Sequence, residues 1–154
     1  MLTLYRYNWQ VRDDWFDWCE GVPAEELTRQ RIGGVGTFLQ TLWHIVDAEY
    51  SWIRAMVGEP DVQLPFEHYQ TLSQVRALSN TCRHEIRSVL GQWTPDRDSK
   101  KVYAPWRPGE TFSAGQVLRH VIAHEIHHMG QLSIWARDLG RDPVSANLVG
   151  WSLG

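Results

Sequence analysis

Four of the chain's seven histidines lie in one stretch, Leu118-Arg-His-Val-Ile-Ala-His-Glu-Ile-His-His-Met-Gly-Gln131. A helix turns about 100° per residue, so His120, His124 and His128, each four apart, form one stripe. Val117, Val121, Gln131 and Trp135 share that side, which makes it the inward face, and His127 lies at its edge. Neutral imidazoles in apolar surroundings need partners for their ring nitrogens. A metal ion is one such partner. Side chains four apart on a helix start about 5–6 Å from each other, close enough for two imidazoles to share one ion. Zinc–nitrogen bonds of about 2.0–2.1 Å suit that pair. The bland alternative is a row of hydrogen-bonded core histidines.

A two-histidine pair needs a further ligand from another element. Thr37, Thr41, His44, Ala48, Ser51 and Ala55 follow a 4-3-4-3-4 spacing, the seam of a packed helix. All but His44 are small, which leaves room at that position for an ion, water or substrate. Close helix–helix packing would use the same small residues. His44 with His124 and His128 would leave the fourth position of a tetrahedral ion open, as catalytic zinc sites do. A competing motif is His124-Glu125-Ile126-His127-His128, which reads H-E-x-x-H, with the Glu as general base of a metalloprotease. No histidine follows His128, so the longer zincin pattern is incomplete. Glu125 points about 100° away from His124 and is expected as an exposed helix-face acid.

Those side chains must be held by helices. Periodicity predicts one from about Thr3 to Glu20, with Leu4, Asn8, Val11, Trp15 and Trp18 on one face. A short helical turn at Pro23–Leu27 is expected next. A second long helix is expected from about Val35 to Val57, closed by Gly58 and Pro60. Thr71-x-x-Gln74 and Ser113-x-x-Gln116 are capping-box signals for a third helix, with Leu72, Val75, Leu78, Cys82, Ile86 and Val89 inward, and for a fourth that ends near Gly140. Lys101–Ala104 reads as a short hairpin between the third and fourth, although Pro105 and Pro108 oppose pairing. The expected fold is all-α, a four-helix bundle, in one domain over residues 1–154.

Composition narrows the classes. The chain has 154 residues, 43% hydrophobic and 21% charged, which is globular rather than disordered. Its formal charge is −3, so it lacks the basic footprint of a nucleic-acid binder. The longest relevant uncharged run, Ile32 to Val46, holds three glycines, Gln40 and His44, and falls short of a membrane span. Cys19 and Cys82 are distant, form no C-x-x-C and read as buried thiols of a cytoplasmic protein. His68 reads as loop and His84 as a solvated helix position. Trp43, Trp106 and Trp135 are candidates for a pocket wall.

At Leu42-Trp-His44-Ile-Val-Asp47-Ala-Glu49 and at His120-Val-Ile-Ala-His124-Glu125-Ile-His-His128-Met-Gly130-Gln131 the sequence resembles the DinB-like family, also called the DNA-damage-inducible or YfiT-like superfamily. The resemblance implies an up-down-down-up bundle, often dimeric. It also implies a divalent metal ion, zinc or nickel, on a triad that maps to His44, His124 and His128. His120, His127 and Gln131 map to the pocket or to positions that support the ligands. Many members carry a basic residue before the Gly-Gln pair; here it is Met129.

Characterised relatives resemble transferases that use low-molecular-weight bacterial thiols, or thiol-dependent isomerases, and others resemble metal-dependent hydrolases. The resemblance therefore implies a small-molecule substrate together with a thiol, and a homodimer, while charge and composition argue for no nucleic acid and no membrane. A non-catalytic metal-binding stress-response module is the alternative from another class. For the groups that orient the ligand histidines, Asp47, Glu49 and Asn8 are the candidates.

Overall fold

A computed structural model describes residues 2–150 of the chain. Helix α1 spans Leu2–Glu20, short α2 Ala24–Thr28, α3 Phe38–Val57, α4 Leu72–Gly91 and α5 Ala114–Asp138. Both expected capping boxes form. Thr71 and Ser113 accept the backbone N–H of Gln74 and Gln116, and those glutamines accept the cap N–H groups in return. Helix α3 starts at Phe38 rather than Val35. Gly33, Gly34 and Gly36 all adopt positive φ, which a helix cannot, and Thr37 then caps Gln40 N–H at 3.0 Å. Gly58, at φ 84°, closes α3 in the left-handed region.

Side-chain pairings fix the helix directions. Tyr5, Asn8 and Arg12 meet Leu118, Ile122 and Glu125 in the same order, so α1 and α5 are parallel. Phe38, His44 and Trp52 meet Trp135, His124 and His120, so α3 runs against α5. Arg76 and Arg83 meet Asp17 and Asp13, so α4 runs against α1. The bundle is therefore up-down-down-up.

Strand β1 (Lys101–Val102) pairs antiparallel with β2 (Phe112–Ser113), Lys101 opposite Ser113. The partner strand is thus more distant than a turn inside Lys101–Ala104 would give. Pro105 and Pro108 sit in the connecting loop, where no ladder bond is lost.

The apolar core divides into two clusters. One centres on Trp9, Tyr50, Ile53, Ile86 and Leu118, the other on Trp15, Phe16, Phe38, Leu42 and Leu132. Between them lies a polar layer with one side chain from each long helix: Arg12, Glu49, Ser79 and Glu125, all buried. Leu4, expected inward, is 36% exposed, whereas Arg12 is fully buried. The α1 residues Tyr5, Trp9, Arg12, Phe16 and Cys19 form the most deeply buried seam. Cys19 and Cys82 are buried free thiols, as expected. Burial raises both to about 12, so neither is a thiolate at neutral pH. No described helix is long and apolar enough to cross a membrane.

Candidate metal centre

Two seams run along α5, one residue apart. His124, His128 and Trp135 of the first meet His44 and Phe38 of α3, while Leu118, Ile122 and Glu125 of the second meet Tyr5, Asn8 and Arg12 of α1. The first seam brings its histidines against the His44 seam of α3. His124 Nε2 lies 3.2 Å from His44 Nε2 and 3.1 Å from His128 Nε2. The ring centroids of all three pairs fall between 4.5 and 4.9 Å. One ligand nitrogen from each residue fits within a 4.8 Å cluster.

Protons cannot satisfy this cluster. Gln131 Oε1 lies 2.8 Å from His128 Nδ1 and can only accept, so Nδ1 carries the hydrogen and Nε2 keeps its lone pair. His124 Nε2 offers one hydrogen or one lone pair and faces two nitrogens. A cation resolves that conflict, because each nitrogen then donates its lone pair. Burial lowers the His44 pKa, with a smaller push from His128. It also lowers His128, where Gln131 opposes and His127 adds to the shift. His124 falls furthest, to about 3, through burial and then the surrounding histidines. The rings are therefore neutral at pH 7, the state that binds metal.

The flanking residues divide. Gln131 also donates from Nε2 to His127 Nε2 at 3.0 Å, so one amide engages both imidazoles. Gly34, at φ +54°, packs directly on Gln131; a Cβ there would overlap Oε1. His127 is exposed and meets the centre both through Gln131 and by its ring, 5.3 Å from that of His128. His120 is exposed rather than inward, with its ring 5.7 Å from His124 and 5.4 Å from Trp52. A four-residue spacing drifts about 40° around the helix at each step, so the stripe has left the core by His120. His84 is exposed, as expected. His68 is exposed too, but closes a short 3₁₀ turn rather than lying in plain loop.

Glu125 corrects the sequence reading. It is 1% exposed, not a solvated acid, and both its oxygens accept from Arg12 Nε and Nη2 at 2.7 Å. Arg12 Nη1 also approaches Glu49 Oε2 at 2.8 Å, without the alignment of a hydrogen bond, while Glu49 Oε1 accepts from Trp9 Nε1. Burial raises the Glu125 pKa, and Arg12 opposes the shift. A carboxylate held at both oxygens is not available as a protease general base. Glu49 and Asn8 do not orient the histidines either, since Asn8 donates to the Ile122 carbonyl. Asp47 is half-buried, and burial followed by Asp61 raises it to about 6.

Of the three tryptophans expected at a pocket, Trp135 is core and donates to the Ile32 carbonyl, and Trp43 donates to Leu64. Trp106 lies edge-on to Trp52. Trp52, Arg107, Phe112, Gln116, Val117 and His120 line a cavity of about 270 Å³.

A model of the DinB family matches residues 1–152. The uncharacterized protein YizA of Bacillus subtilis is 50% identical over 153 residues, covering 99% of this chain and 96% of that protein. A DinB-like protein from Bacillus cereus superposes with a TM-score of 0.66 at 17% identity, covering 96% of this chain and 94% of that one. A second, YjoA from Bacillus subtilis, superposes with a TM-score of 0.62 at 14% identity, covering 92% and 94%.

Proposed function

The chain belongs to the DinB family, and from that premise we propose that it is a metal-dependent enzyme that transfers a low-molecular-weight thiol to a small electrophile. The observation that carries the reading is the convergence of three neutral imidazole nitrogens, on His44, His124 and His128, where no proton arrangement serves all of them. When bound there, a divalent ion such as zinc or nickel supplies a lowered pKa to a thiol or water in its open position.

The chain's own residues do the rest. Gln131 holds His128 in the tautomer that aims Nε2 inward. Desolvation keeps His44, His124 and His128 unprotonated. Because the imidazoles of His44, His124 and His128 bring no charge, an ion held by them would keep its full positive charge and would favour the anionic form of a thiol or water beside it. Imidazole suits zinc, nickel and other first-row metals, so availability selects the ion.

The test is elemental analysis of untagged protein beside His44→Ala and His124→Ala. About one divalent ion per chain, lost in both variants, is expected. Retention in His44→Ala would refute the interhelical site. Loaded protein is then offered monochlorobimane with a bacterial thiol. Metal-dependent conjugation is expected, and turnover of ester substrates alone would move the reading to hydrolysis.

A further inference from the structure

We propose that the cavity beside His120 seats a flat, uncharged aromatic group of the electrophilic substrate. This deepens the thiol-transfer reading above and rests on it. Trp52 stands at the corner of the cavity. Its ring meets Trp106 at 84°, Phe112 at 86° and His120 at 72°, with centroids 5.1–5.5 Å apart. Rings set at right angles present both faces and edges, which is the arrangement a further aromatic ring completes by stacking and edge contacts.

Two polar side chains at the rim, Arg107 and Gln116, already have partners within the chain. Arg107 Nε and Nη2 donate to the two oxygens of Glu110 at 2.6 and 2.8 Å, and the guanidinium lies 6.0 Å from the Phe112 ring centroid. Gln116 Oε1 accepts the Ser113 N–H at 2.8 Å in the α5 cap. Among the described lining residues the one arginine is thus paired with Glu110, which favours selection by shape and π-contact over selection by charge. The volume of about 270 Å³ exceeds the roughly 150 Å³ that holds one benzene, so a fused two-ring system fits. One wall, His120, is 5.7 Å from the His124 ring, so the group lies a single imidazole away from the histidine triad.

The test follows the Trp52 indole N–H by nitrogen-15 NMR in chelator-treated protein, with the signal assigned from Trp52→Leu. The probes are 2-naphthol (flat, neutral), 2-naphthoate (flat, anionic) and cyclohexylmethanol (neutral, not flat). Saturable shifts with 2-naphthol are expected, with the other two binding roughly tenfold more weakly. Trp52→Leu, which removes a ring, and His120→Trp, which fills the cavity from an exposed position, should each weaken 2-naphthol by about as much, read from ligand-observed saturation transfer. Absence of a saturable shift, equal binding of cyclohexylmethanol or naphthoate, or undiminished binding in both variants would overturn the assignment. Metal is absent throughout, so this outcome is independent of whether the triad loads an ion.

Discussion

Replacing Arg12 with Met should unfold a large part of the protein's stability margin, and in a pH-dependent way. Arg12 is fully buried and holds two carboxylates, Glu125 through both oxygens and Glu49 through one. Methionine fills similar space but leaves two acids facing each other in the core. Breaking a buried pair in this way costs about 3–5 kcal/mol, out of a total of roughly 5–15. In a chain of this size each kcal/mol moves Tm by about 2–4 °C, so a fall of roughly 6–20 °C is expected at neutral pH. The sign with pH follows from burial. Without the guanidinium, nothing on Arg12 opposes the burial that raises the Glu125 pKa above the unfolded value of about 4.3. The folded state then binds more protons, so stability is retained at low pH and lost as pH rises through the raised value. Thermal unfolding of metal-free protein at pH 5 and pH 8 should show a smaller deficit at pH 5. A Tm close to wild type, or an equal deficit at both values, would mean that Arg12 is not compensating buried charge.

Two further outcomes follow from the site. Gln131→Leu keeps the shape but frees His128 to adopt either tautomer, so metal affinity should fall about 10–100-fold. Competition with a chromophoric chelator measures this, and unchanged affinity would remove Gln131 from the site. Asp47 has its pKa raised to about 6, so its favourable contribution is present below the unfolded value and is lost as pH rises through 6. Asp47→Asn should therefore stabilise the protein at pH 7.5 and not at pH 4. The gain should stay below about 1 kcal/mol because solvent screens a half-exposed group. Equal gains at both pH values in urea titrations would contradict the assignment.

The helices, both capping boxes and the His124–His128 pair are legible because each rests on local signals: periodicity, a three-residue cap spacing and histidines four apart; His44, on another helix, is singled out by the family resemblance. His120 was misread because spacing places a residue on a stripe but not at a level along the bundle. The buried charges were misread for a different reason. Glu125 lies between Ile122 and Met129 on a second apolar seam, and Arg12 lies between Trp9 and Phe16 on another. A charge at the centre of a seam is a readable anomaly, but each residue alone looks like a break at the surface. Only the pairing of one cation with two acids across three helices makes burial tolerable, and pairing across helices is not local. The α3 start differs because the glycine positions carry no side-chain signal, while Gly34 and Gly36 adopt positive φ and pack against Gln131 and Gln30 where a Cβ would not fit.

The polar layer can be placed beside the metal centre on physical grounds. Glu125 adjoins His124 on α5, and Glu49 lies little more than one turn beyond His44 on α3. Arg12 therefore ties together the two helices that must bring His44 to His124 and His128. Buried ion pairs contribute little net stability relative to apolar packing, and their better-supported use is to fix register. A purely apolar layer would allow α3 and α5 to slide, whereas one cation between two acids fits one alignment. The variant Arg12→Met/Glu49→Leu/Glu125→Leu separates stability from register. Its stability should equal or exceed wild type by about 1–4 kcal/mol. Its metal affinity should nonetheless fall, because a binding site tolerates displacements of only about 0.5 Å. Measured together by urea unfolding and chelator competition, higher stability with wild-type affinity would show that packing alone aligns the histidines and that the layer has no part in building the site.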